Sequence, residues 1–89
     1  MASNFHLFQT SNRDCLHIYM IGDFDGTSAH ELINALKKNR GNFKVFIDTN
    51  DLNQIHPFGV DVFQSVLYTG IKNSSNLLFI GRHKHRFAF

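Results

Sequence analysis

The chain of 89 residues is long enough for one hydrophobic core and too short for two, so it is read as a single domain over 1–89. With 43% hydrophobic and 18% charged residues it is too apolar for a disordered tail, and ten Phe with no Trp point to a core built on aromatic bulk. Arg82, Lys84 and Arg86 supply three of the nine basic residues, and without them the net charge of +2 becomes −1, which excludes the broad basic face of a nucleic-acid binder.

The single cysteine, Cys15, has no partner for an internal disulfide, and the chain opens without a secretory pattern, so a cytoplasmic address is expected. No apolar run approaches the roughly 18 residues of a spanning helix, and no membrane partner is expected.

Residues 5–9 and 15–21 are apolar and aromatic, and Ser11-Asn12-Arg13-Asp14 between them has turn chemistry, which predicts a β-hairpin. In the second strand Leu16, Ile18 and Met20 share one face and Cys15, His17, Tyr19 and Ile21 the other, so both faces are expected to be at least partly covered. Gly22-Asp23-Phe24-Asp25-Gly26 breaks the pattern. Ser28 with Glu31 matches a capping box, which places a helix start at Ser28. Ala29, Leu32, Ile33 and Leu36 form its apolar stripe, Lys37, Lys38 and Arg40 suit its negative end, and Gly41 suits its stop.

Residues 43–49 contain the run Val45-Phe46-Ile47, the mark of a central strand covered on both faces. The stretch 48–59 then reads as a loop, with polar Asn50 and Asp51, and Pro57 can open a second helix from its first position. Gly59, Val62, Phe63, Val66 and Leu67 give that helix its stripe, with a strand as the alternative that the β-branched residues allow. Residues 71–76 read as a loop and Leu77 to Ile80 as a last buried strand. The order β-β-α-β-α-β predicts an α/β fold: a small mixed sheet, three strands parallel through right-handed crossovers and one antiparallel at the edge, with helices packed on it.

Gly22-Asp23-Phe24-Asp25 before a helix, and Val45-Phe46-Ile47-Asp48 followed eleven residues later by Gly59 at a helix start, resemble the STAS domain of anti-sigma factor antagonists and of sulfate-transporter tails. The resemblance spans roughly 8–80, by pattern and order. It implies a regulatory protein-interaction module without catalysis or cofactor, whose partner is an anti-sigma factor or a serine kinase-like protein. The family carries an Asp-Ser-Ser-Gly or Asp-Ser-Thr-Gly tetrapeptide whose first hydroxyl is phosphorylated to switch binding off. Here the matching residues are His56-Pro57-Phe58-Gly59, and Pro57 has no hydroxyl. The usual switch is chemically impossible, and the expected partner-binding residues are Asp23, Asp25, Ser28, His56, Pro57, Phe58, Gly59 and Phe63.

Simpler roles stand beside these. Phe58 is read either outward, as an anchor, or inward, as core. Asp23, Asp25, Asp48 and Asp51 gather near strand ends where Mg²⁺ could bind, yet turn and cap roles explain them more cheaply. His83 and His85 have two-ligand spacing, but a metal site needs three or four ligands; within the basic and aromatic C-terminal tail 82–89, Arg82 to Arg86 read as a solvated terminus behind which Phe87 and Phe89 pack on the sheet or on a second copy. There is no phosphate loop, nucleophile elbow or catalytic carboxylate pair. The alternatives to an interaction module are a small-ligand, nucleotide or metal-binding sensor, and a homodimer built through Phe87 and Phe89.

Overall fold

A computed structural model describes residues 4–38, 44–69 and 77–87. Arg40, Gly41, Phe43, the expected loop 71–76 and Phe89 lie outside the described residues, as does the side chain of Leu67. The elements are β1 (His6–Ser11), β2 (Cys15–Phe24), α1 (Gly26–Lys38), β3 (Lys44–Ile55), α2 (Pro57–Thr69) and β4 (Leu77–Ile80), followed by a 3-10 turn at Lys84–Phe87. The expected order and fold class hold.

The sheet runs β1-β2-β3-β4, with β1 antiparallel to β2 and the other neighbours parallel. Because β2, β3 and β4 follow one another in one direction, right-handed crossovers put α1 and α2 on the same face. Leu16, Ile18, Met20 and Phe24 of β2 and Val45 and Ile47 of β3 bury their side chains against Leu32, Ile33, Val60 and Phe63 from that layer. The alternate residues of the strands, among them His17, Tyr19 and Phe46, form the opposite face, which no helix among the described residues covers and which is only half-buried.

The phenylalanines are the spine of the core. Phe87 stacks on Phe79 with ring centroids 4.9 Å apart and meets Phe24 edge-on at 5.0 Å. Phe5 meets Phe24 edge-on at 6.0 Å and Phe63 meets Phe79 at 5.7 Å, so one chain of rings links both strand ends, a helix and the terminal turn. Such pairs add to the burial of area, by about 0.5–1.5 kcal/mol each.

Several local readings are corrected. β2 does not stop at Gly22 but runs to Phe24, because Gly22 and Phe24 still pair with Leu52 and Ile55 across two irregular register steps. Gly22 takes φ +98°, and a Cβ there would run into the Asn4 carbonyl, so glycine is what lets the strand bend and continue. For the same reason 48–59 is not mainly a loop: β3 continues to Ile55, with Leu52 and Ile55 turned into the core despite the polar residues around them. Helix α1 starts at Gly26, two residues before the expected capping box, and its cap is Asp25.

The side chains of Arg82, Lys84, His85 and Arg86 are exposed, as expected of a solvated basic tract, but its backbone is tied to the sheet and Phe87 behind it packs inward. Gly81, at φ +102°, turns the chain back, the His83 N–H donates to Thr49 Oγ1 at 3.1 Å, the Arg82 N–H to Asn50 Oδ1 at 2.8 Å, and Phe87 is fully buried. A homodimer contact through Phe87 would have to pull that ring out of its own core.

Candidate functional site

Parallel strands β2 and β3 end together, and each feeds a helix on the same face, so the N-termini of α1 and α2 lie side by side at the carboxyl end of the sheet. Open α/β sheets bind their ligands at this end. The two strand ends are tied directly, since the His56 N–H donates to the Phe24 carbonyl at 2.8 Å. The His56 carbonyl in turn accepts from Gly59 at 2.9 Å and Val60 at 3.3 Å, which makes it the cap residue of α2 and puts Pro57 at the first helical position, where a missing N–H costs nothing.

At the first helix Asp25 does the capping. Its Oδ1 accepts the Ser28 N–H at 3.0 Å and its carbonyl accepts the Ala29 N–H at 2.9 Å. The Ser28 hydroxyl lies 2.8 Å from the Asp23 carbonyl and 3.1 Å from Asp25 Oδ1, acceptors that share its one proton. The Ser28 N–H foremost, with its hydroxyl, holds the Asp25 carboxyl below its ordinary value against a weaker opposing effect of desolvation. Asp23 is a brace of a different kind, its Oδ1 accepting the Gln54 N–H at 3.2 Å and so joining β2 to β3.

The helices touch through glycine. A Cβ on Gly59 would stand 2.6–2.8 Å from Asp25 backbone atoms, so no other residue lets the first turn of α2 come this close. Gly26 answers from the other side: a Cβ there would be 3.0 Å from Phe58 Cε2. The Phe58 ring thus leans on Gly26 while remaining 69% exposed, which settles its direction as outward.

Of the expected site residues, His56, Pro57 and Phe58 are exposed and contiguous, and Asp23 and Asp25 are half-buried beside them. Ser28, Gly59 and Phe63 are buried: Ser28 inside the cap network, Gly59 in the helix contact and Phe63 fully in the core. They shape the surface from beneath. Two neighbours escaped the sequence reading. Gly26, noted only as part of a breaker, is the seat of Phe58, and Arg86 places its guanidinium 3.1 Å from the Ile55 carbonyl, next to His56. Nothing local in the tract 82–86 signals that long-range contact.

Asp48 accepts the Asn50 N–H at 2.8 Å, so with Asp23 and Asp25 three of the four strand-end carboxylates have structural work. Among the described residues no three His, Cys, Asp or Glu side chains gather as metal ligands would. Among the described residues no helix is long and apolar enough to cross a membrane.

The sequence matches no family model and no curated protein. Among solved structures it is similar to an uncharacterized protein of the DUF3478 family with a SpoIIAA-like fold from Shewanella loihica, at TM-score 0.54 and 16% identity, over 92% of this chain and 73% of that one. Element order, mixed sheet and structural likeness agree: the chain has the SpoIIAA-like, or STAS-like, fold.

Proposed function

We propose that the chain is a non-catalytic, STAS-like regulatory module that docks a protein partner on His56-Pro57-Phe58 and the adjoining turn at Asp23 and Asp25, with no phosphate switch at that position. The observation that carries this reading is Phe58, a ring 69% exposed on a first turn whose backbone is held by Gly59 against Asp25. An aromatic side chain on a fixed backbone loses little conformational freedom on binding and buries much area, which is the profile of an interface anchor.

The chemistry around it supports a constant surface. Pro57 offers no hydroxyl, and Thr49, which has the only hydroxyl side chain in 48–59, is fully buried with its Oγ1 donating to the Ile80 carbonyl at 2.8 Å. A kinase could not reach it without opening the middle of β3 and the tract beyond β4 that covers it. The partner class that the resemblance implies is an anti-sigma factor or a serine kinase of that type.

The test is calorimetric titration of such a kinase into the wild-type chain and into Phe58→Asp, with and without ATP, followed by intact-mass measurement. Binding that is unchanged by ATP, no added phosphate, and at least about tenfold weaker binding by Phe58→Asp are expected. A phosphate on any residue of 48–59, or binding indifferent to Phe58, overturns the reading.

A further inference from the structure

The helix-free face of the sheet carries an unassigned surface. Phe8 on β1 and Leu78 on β4 are 59% and 44% exposed, and both lie on this face at its outer strands. Between them the register sets His17 beside Phe46, with His17 stacked on Tyr19 at a centroid distance of 4.3 Å and an interplanar angle of 5°. His17 Nε2 is shielded from solvent, makes no hydrogen bond, and sits 3.7 Å from Asp48 Oδ2. An apolar and aromatic band therefore crosses the whole sheet, which is unusual for a surface that meets only water.

The charges on this band are arranged symmetrically. On β3 Lys44, Phe46 and Asp48 point the same way, two residues apart, so a base and an acid stand at equal distances on either side of Phe46. The row Thr10, His17, Phe46 and Leu78 runs straight across the strands. A two-fold axis laid along that row stacks a second copy face to face with its strands reversed. It sets Phe46 on Phe46, and it sets Lys44 of each copy over Asp48 of the other.

We propose that this face is the interface of a homodimer, with the His17–Phe46–Leu78 row on the two-fold axis. Sheets pack about 10 Å apart face to face, a gap that a lysine side chain and a carboxylate span together. A second copy uses both charges, whereas a partner of one sign would meet a like charge at Asp48 or at Lys44. The surface shares no residue with the Phe58 surface, so the two readings stand or fall separately. It also differs from a dimer through Phe87, whose ring is fully buried.

Sedimentation of the full chain from micromolar to about millimolar concentration tests it. The wild type is expected to pass from 10.2 kDa towards twice that mass. Leu78→Glu, at an exposed site, is expected to weaken the dimer at least about tenfold without changing the circular dichroism spectrum. Lys44→Asp and Asp48→Lys are each expected to weaken it about tenfold by setting like charges opposite each other, and the double exchange to recover most of the loss. A chain that stays monomeric throughout, a dimer indifferent to Leu78→Glu, or a double exchange no better than either single one overturns the proposal.

Discussion

Gly59 of α2 lies so close to Asp25, the cap of α1, that a Cβ would stand 2.6 Å from the Asp25 carbonyl carbon. Its neighbour atoms are backbone, which cannot swing aside as a flexible side chain would. Gly59→Ala is therefore expected to cost about 1–3 kcal/mol, the range for forcing an extra methyl into a packed site. In a domain of this size that lowers Tm by roughly 4–8 °C per kcal/mol, readable by thermal unfolding. An unchanged Tm would mean that the helix N-termini can part freely.

Asp25 couples this contact to pH. Its folded carboxyl is held below the ordinary value of 3.8, chiefly by the Ser28 N–H, so the charged cap contributes stability above that value and loses it as pH falls through the lower folded value. Asp25→Asn keeps an oxygen for the Ser28 N–H and removes the titration, so it is expected to flatten the acid side of the stability curve below about pH 4. Asp25→Ala removes the cap altogether and is expected to cost about 1 kcal/mol at neutral pH. Urea unfolding across pH separates these two effects; an Asn variant with the wild-type acid profile would discharge Asp25 from the role.

Thr49 ties the terminal tract to the sheet, its hydroxyl donating to the Ile80 carbonyl at 2.8 Å and accepting from the His83 N–H at 3.1 Å. Thr49→Val keeps the shape and removes both bonds. The expected loss is about 1–3 kcal/mol, the cost of leaving buried polar groups without partners. Amide hydrogen exchange at His83 is expected to quicken more than exchange in the middle of β2, because the tract would release before the sheet does.

What the sequence disclosed and what it withheld divide along one physical line. The stripe Ala29, Leu32, Ile33 and Leu36, the run Val45-Phe46-Ile47 and Pro57 at a first helical position are decided by neighbours a few residues away, and all three elements stand in the structure, although the run is covered on one face only, Val45 and Ile47 being buried and Phe46 half-buried on the helix-free side. The capping box at Ser28 and Glu31 satisfies the same local rules, yet the Ser28 hydroxyl is spent on the Asp23 carbonyl and the cap moves to Asp25. β3 runs through Asn50 and Asp51 because Ile21 of β2 pairs with Asp51, information that lies some thirty positions distant along the chain. Phe87 joins the core only because Gly81 turns the chain and Phe24 and Phe79 wait for it. The candidate surface at His56-Pro57-Phe58 was marked out by the resemblance to the STAS tetrapeptide, whereas its seat on Gly26 and its neighbour Arg86 depend on packing between elements.

Two phenylalanines five residues apart on α2 put the docking reading to a direct comparison. Phe63 is fully buried and edge-on to Phe79, so Phe63→Ala is expected to cost about 3–5 kcal/mol, a large part of the stability of so small a domain. Phe58 is mostly exposed and touches Gly26 with one edge of its ring, so Phe58→Ala is expected to change stability by less than about 1 kcal/mol while removing most of the partner affinity. Denaturant unfolding and binding measured on the same two proteins decide the matter. If Phe58→Ala destabilised the fold as much as Phe63→Ala, the ring would be a structural element of the α1–α2 contact, and the surface for a partner would have to be sought elsewhere on the domain.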